Sequence, residues 1–148
     1  MPEPEFRSVR ADDPAFPGVD RTGYSILTTF RKDGTPVPTQ VWALRDGARM
    51  LVTTDARSGK AKRIRANGRA TLAPCDRRGA PLGEAFPARA RQLPKADNAA
   101  ITPLFFRRYG VLARLIFGMG RLRRHDQVML EILPATPSDD RHGATDRP

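Results

Sequence analysis

Apolar positions along the chain recur at two spacings, and the change from one to the other marks the elements. Tyr24 to Phe30 (YSILTTF) and Val37 to Arg45 (VPTQVWALR) are short runs rich in β-branched and aromatic residues. Met50 to Thr54 (MLVTT), Ala70 to Asp76, Ala85 to Leu93 and Gln127 to Leu133 (QVMLEIL) have the same character. Each predicts a strand. Lys32-Asp33-Gly34 reads as a turn, the Gly79–Gly83 stretch as a loop, and Pro134 as a stop. Asp46-Gly47 is the strongest hairpin signal and is read as a type I′ turn, whose two central positions need φ > 0.

Two segments carry the helical spacing instead. Ser58 to Ala66 is short, with Ser58 as N-cap and Asn67-Gly68 as stop. From about Lys95 to Arg124, Ile101, Leu104, Phe105, Leu112, Leu115, Ile116, Met119 and Leu122 recur mostly three and four residues apart. Pro103 starts or kinks this helix, and Gly110, Gly118 and Gly120 weaken it.

Many short strands and two helices in this order predict a mainly β (α+β) chain folded as a small antiparallel barrel. Residues 1–22, with four prolines, are read as an extended N-terminal arm, residues 23–134 as the barrel domain and residues 135–148 as a disordered tail. The second strand is apolar on both faces, with Val37, Val41 and Ala43 on one and Trp42 and Leu44 on the other. One face fills the barrel; the other must be covered by the long helix or by a second subunit. A homodimer is therefore expected.

Charge sharpens this picture. The formal net charge is +10 over 148 residues, which suits an anionic partner: nucleic acid, a lipid surface or a phosphorylated small molecule. The first twenty residues have no apolar run resembling a signal peptide, and the best apolar stretch is broken at Arg114, short of the roughly 18 residues a span needs. With the single cysteine, Cys75, these features lead to the expectation of a cytoplasmic protein with no membrane partner.

The stretch Thr53 to Arg65 (TTDARSGKAKRIR) is the most informative chemically. A strand ends in Thr53 and Thr54, and a helix opens with Ser58, Gly59 and Lys60. Amides at a helix start are unpaired and favour anions. Lys60, Lys62 and Arg63 oppose the helix dipole there, which makes sense if an anion neutralises them. The competing reading is a solvated basic face, since the residues between Ala56 and Cys75 include six Lys or Arg and no acid. A second basic zone, Phe105 to Arg124, has six arginines and no acid. Membrane or nucleic-acid binding is one reading; arginines snorkelling around a core-facing stripe is the favoured one. Few aromatics interleave with the basic runs, which counts against single-strand nucleic-acid binding.

Other candidates carry less. His125 and His142 have no companions at metal-ligand spacing, so no metal is expected. Cys75 reads as a buried small hydrophobe. Trp42, the one tryptophan, reads as core or interface packing, or else as a wall against a planar ring. No Ser-His-Asp set can be assembled, and no catalytic side chain is identified.

The stretches LTTFRKDGTPVPTQVW (27–42), RDGARMLVTT (45–54), SGKAKRIRANGRATLAPCDRRGAPLG (58–83) and VMLEILP (128–134), in this order, resemble the pyridoxamine 5′-phosphate oxidase-like split barrels, and most nearly their coenzyme F420 (deazaflavin)-dependent oxidoreductase branch. The resemblance implies a six-stranded FMN-binding split barrel, a homodimer and a cofactor in a groove between subunits, over residues 23–134. It places the cofactor phosphate on Thr53, Thr54, Ser58, Lys60, Lys62 and Arg63, and the ring along Pro38, Thr39, Gln40, Val41 and Trp42. Gln40 departs from the small residue that relatives often have. Cys75 and Arg77 would close the groove across the dimer. The implied activity is hydride transfer between the deazaflavin and a small organic acceptor. FMN is the alternative cofactor, and a non-catalytic flavin or deazaflavin carrier the alternative role.

Overall fold

The computed structural model describes residues 16–123 and 125–135, the side chain of Arg121 excepted. Residues 1–15 of the expected arm and 136–148 of the expected tail, His142 among them, lie outside the described residues. Strands β1 (Tyr24–Phe30), β2 (Pro36–Asp46) and β3 (Arg49–Asp55) lead into helix α1 (Gly59–Asn67). Strands β4 (Arg69–Pro74) and β5 (Phe86–Gln92) follow, then a 3-10 turn (Lys95–Asp97), helix α2 (Asn98–Leu122) and β6 (Gln127–Pro134). All pairings are antiparallel, and the order β1-β2-β3-β6-β5-β4 closes on itself where β4 meets β1. The expected six-stranded barrel with a short and a long helix is the fold found.

Strand alternation decides what fills it. Leu27, Val41, Ala43, Met50, Val52, Leu72, Leu130 and Ile132 form one buried cluster inside the barrel. Ala43 and Leu130 both lie opposite Val52 on neighbouring strands. Ala70, Ala88 and Ala90 complete the interior with small side chains, which suits so narrow a barrel. Helix α1 runs from the end of β3 to the start of β4, so it covers one barrel end, where Ile64 enters the core. It is closed at its C-terminus by Gly68, whose amide donates to the Ile64 carbonyl.

Residues 16–22, assigned from sequence to the arm, form turns at the opposite end. Phe16 and Val19 are buried in the barrel core, and Phe16 meets Phe86 edge-on at 6.2 Å. Asp20 ties this segment to β2 through a two-point ion pair with Arg45, which also donates to the Phe16 carbonyl. The Arg45 guanidinium holds the Asp20 carboxyl below its ordinary range.

A second core lies outside the barrel. Leu44, Leu51 and Met129, on the outer faces of β2, β3 and β6, pack with Ile101 and Phe105 of α2. Thus the long helix covers part of the second apolar face. Helix α2 is not straight: Gly110 has φ 66° and ψ −140°, and the chain kinks there. This corrects the expected core-facing stripe. Ile101 and Phe105, before the kink, are buried, whereas Leu112, Leu115, Ile116, Met119 and Leu122, after it, are exposed. The spacing holds, but after the kink these stripe members turn outward, and Ala113 and Phe117 take the side toward the barrel. Among the described residues no helix is long and apolar enough to cross a membrane.

The β2–β3 hairpin departs from expectation in its turn. Asp46 pairs with Arg49, so the central positions are Gly47 and Ala48. Gly47 alone has φ > 0, at 66°. That is the II′ pattern, glycine at the first central position, because Ala48 keeps the negative φ that its Cβ prefers.

On the outer face of β6, Glu131 is buried between two arginines, 2.8 Å from Arg49 and 2.7 Å from Arg91. Burial pushes its carboxyl up, but the Arg91 and Arg49 guanidiniums outweigh it and hold it below the ordinary value. Such stabilisation is present above the unfolded pKa of about 4.3 and is lost as pH falls through the folded one. Glu131→Gln is therefore expected to cost about 1–2 kcal/mol at neutral pH. In urea titrations the deficit should vanish in acid, where the native carboxyl is itself protonated; a deficit independent of pH would refute the ion-pair account.

Candidate functional site

The segment from Thr53 to Arg63 folds as a strand end, a tight loop and a helix start. Asp55 accepts from the Arg57 amide and pairs with its guanidinium, which turns the chain. The Ser58 hydroxyl accepts from the Ala61 amide at 3.2 Å, the N-cap expected from sequence. The first-turn amides of Gly59 and Lys60 have no intrahelical acceptor, as at any helix start. The Thr54 hydroxyl donates to Ser58 at 3.2 Å, so these two predicted site residues are in contact. Thr53 faces the other way and accepts from Gln127 at 3.2 Å. It braces β3 against β6 and stands apart from the helix start.

Three cations gather here. Arg63 reaches back over α1, and its Nε donates to the buried Thr29 hydroxyl at 2.6 Å. A Cβ on residue 59 would stand 2.7 Å from Arg63 Nη1, so glycine is what lets the guanidinium lie against the helix start. Lys60 is half-buried: burial, then the nearby Arg63 charge, pushes its ammonium below the ordinary range. Burial and the Arg31 charge do the same to Arg63. No acid contributes to either shift. A half-buried lysine beside an arginine is unfavourable in isolation and favourable beside an anion. Lys62 is exposed.

Arg31 was missed in the sequence reading. Nothing in its local spacing singles it out; it joins the cluster because β1 ends at the barrel end that α1 covers. Thr29 was missed too, although its place in the inward alternation of Ser25, Leu27 and Thr29 was available from the strand pattern.

The residues expected along the ring divide between two faces. Val41 lies inside the barrel and Thr39 shares its face, while Pro38, Gln40 and Trp42 point outward. Pro38 and Gln40 are exposed and lie beside Thr28 and Ile26 of β1. Ile26 and Thr28 are half-buried. The Gln40 amide donates to the carbonyls of Arg77 at 2.9 Å and Asp76 at 3.2 Å, which pins the β4–β5 loop beside it within one chain. Asp76 rigidifies that loop by accepting from the amides of Arg78 and Ala80. Trp42 stacks on Tyr109 of α2, centroids 4.2 Å apart and planes within 4°. The Tyr109 hydroxyl lies 2.7 Å from the Gly23 carbonyl oxygen, and burial pushes its pKa up to about 12. One face of the indole is thus already occupied by packing. Cys75 is wholly buried, which raises its thiol pKa, and its carbonyl accepts from the Thr22 hydroxyl. Arg77 is exposed. Among the described residues no three His, Cys, Asp or Glu side chains gather as a metal site.

The arrangement gathers Arg31, Lys60 and Arg63 at a helix start with no acid among the charges acting on Lys60 or Arg63, a grouping whose chemistry suits an anion. A family model described as pyridoxamine 5′-phosphate oxidase matches residues 17–136. Among solved structures, the chain is similar to an F420 reductase, at 22% identity and TM-score 0.53, over 80% of this chain and 90% of that one. It is similar to the heme storage protein of Vibrio cholerae, at 14% identity and TM-score 0.60, over 77% and 82%. It is also similar to a FAD-binding protein of Mesorhizobium loti, at 15% identity and TM-score 0.53, over 78% and 82%. At such identities these likenesses speak for the fold. No curated protein matched the sequence.

Proposed function

The chain belongs to the pyridoxamine 5′-phosphate oxidase family, and from that footing we propose that it is an oxidoreductase that binds a phosphate-bearing deazaflavin, coenzyme F420, as a homodimer. The observation that carries the reading is the group of Arg31, Lys60 and Arg63 at the start of α1, with no acid among the charges acting on Lys60 or Arg63. The residues fit a phosphate. Two free amides, the Thr54–Ser58 hydroxyl pair and three cations converge, and Gly59 lets the Arg63 guanidinium lie against the helix start. The barrels of an F420 reductase and of a FAD-binding protein support a cofactor of this class.

In this reading Lys60 and Arg63 neutralise the phosphate, and Arg31 adds charge at its rim. Thr29 fixes the Arg63 guanidinium so that it need not be ordered on binding. The outer face of β2, at Pro38 and Gln40, supports the ring, with Thr39 and Val41 contributing backbone groups. Trp42 acts through its stack on Tyr109, holding β2 in place, and Cys75 acts by packing. Arg77 and its loop, pinned by Gln40, border the ring. When bound, the cofactor supplies hydride transfer to or from a small organic acceptor, and the chain supplies orientation, charge and exclusion of water. The second subunit covers the exposed Pro38 and Gln40 on the outer face of β2, and so completes the groove.

The test is a titration of the purified protein with the deazaflavin and FMN side by side, followed by fluorescence quenching. Tighter binding of the deazaflavin is expected. Preference for FMN would move the cofactor assignment while keeping the phosphate seat; binding of neither would remove the functional reading.

A further inference from the structure

We propose that the second half of α2, residues 111–122, docks this protein on the surface of an anionic phospholipid bilayer. Val111, Leu112, Leu115, Ile116, Met119 and Leu122 are between 46% and 84% exposed. At 3.6 residues per turn they share one arc of about 140°. Ala113, on the opposite side, is buried, and Phe117 packs there against Phe105 and Phe106. The segment therefore has a narrow apolar side toward the barrel and a wider one toward solvent, as wide as the stripe with which a helix enters a core. The kink at Gly110 separates this half from the half that holds the barrel, so the outward stripe is not consumed by the fold.

Charge selects the occupant. In sequence, residues 111–124 hold four arginines, Arg114, Arg121, Arg123 and Arg124, and no Asp or Glu. Arg114 borders the apolar arc and lies 5.1 Å over the Phe106 ring. A second copy docked on this face by a two-fold axis would set arginines against arginines, with no acid from the same segment to pair them. A neutral bilayer would take up the apolar side chains and leave the arginines unanswered. An anionic bilayer answers both. Twelve residues of helix span about 18 Å, too little to cross, so the segment lies in the plane of the interface. This face is separate from the anion seat at α1, and the proposal does not depend on the cofactor.

The test is flotation of the full chain with vesicles of phosphatidylcholine mixed with phosphatidylglycerol, against vesicles of phosphatidylcholine alone. At low salt at least about tenfold more protein is expected on the anionic vesicles, and raised salt should release it. Replacing Leu112, Leu115 and Ile116 together by serine is expected to cut that binding at least about tenfold. All three side chains are exposed, so the variant should keep the circular dichroism and sedimentation of the parent. Equal binding to both vesicle types, binding to neither, or undiminished binding by the variant would each overturn the proposal. So would conversion of the protein from dimer to monomer by the three serines, because the face would then join two copies.

Discussion

Alanine at both Lys60 and Arg63 is expected to weaken binding of the phosphate-bearing cofactor by about a hundredfold or more. A hydrogen bond to a charged group contributes about 1.5–3 kcal/mol, and each 1.4 kcal/mol is a factor of ten. The single variants should separate binding from folding. Lys60 has no partner among the described residues and sits half-buried beside Arg63, so Lys60→Ala should bind poorly yet unfold in urea no earlier than the parent. Arg63→Ala should bind poorly and also unfold earlier, because the buried Thr29 hydroxyl loses its donor. Lys62→Ala, at an exposed position, should do little to either. Affinity retained in the double variant would place the phosphate elsewhere.

Phe16→Ala is expected to cost about 3–5 kcal/mol, the range for removing a buried aromatic ring. Phe16 is 2% exposed and closes the barrel end opposite α1. It also has φ 54°, the one described residue other than glycine with a positive value. A Cβ is unfavourable there by about 1–2 kcal/mol, whichever side chain follows it. Glycine at position 16 should therefore be less damaging than alanine by about 1 kcal/mol, the reverse of the usual order inside a folded chain. Paired urea denaturation curves decide it: alanine at least as stable as glycine would mean that this conformation is not the one the native protein keeps.

What the sequence disclosed follows from which forces are local. β1 is read from sequence with the bounds that the structure gives it, because its alternation is complete over Tyr24–Phe30. Ser58 and Gly68 mark α1 because capping depends on residues within a turn of each other. The place of the β2–β3 turn is legible in sequence and its type is not: whether Asp46-Gly47 or Gly47-Ala48 is central depends on register, which cross-strand packing sets. The outward turn of half of the α2 stripe is hidden from the sequence for a similar reason. Spacing reports that residues share a side of a helix, and says nothing of whether a kink turns that side away. The candidate site shows the same division. Thr54, Ser58, Lys60 and Arg63 are neighbours in sequence and in space. Arg31 and Thr29 join them only because the barrel closes, and Trp42 meets Tyr109 across 67 positions.

The place of β6 in the circle, between β3 and β5, bears on how the protein is made. Of the six strands it is synthesised last, and its partners precede it by about 75 and 40 residues. A ribosome at work therefore holds five strands of an open sheet, with β3 and β5 as raw edges, until Gln127–Pro134 emerges. Such edges pair readily with other nascent chains. The interval between the appearance of β5 and that of β6 is set by residues 93–126, the 25 of α2 among them, and through it both edges stand unpaired.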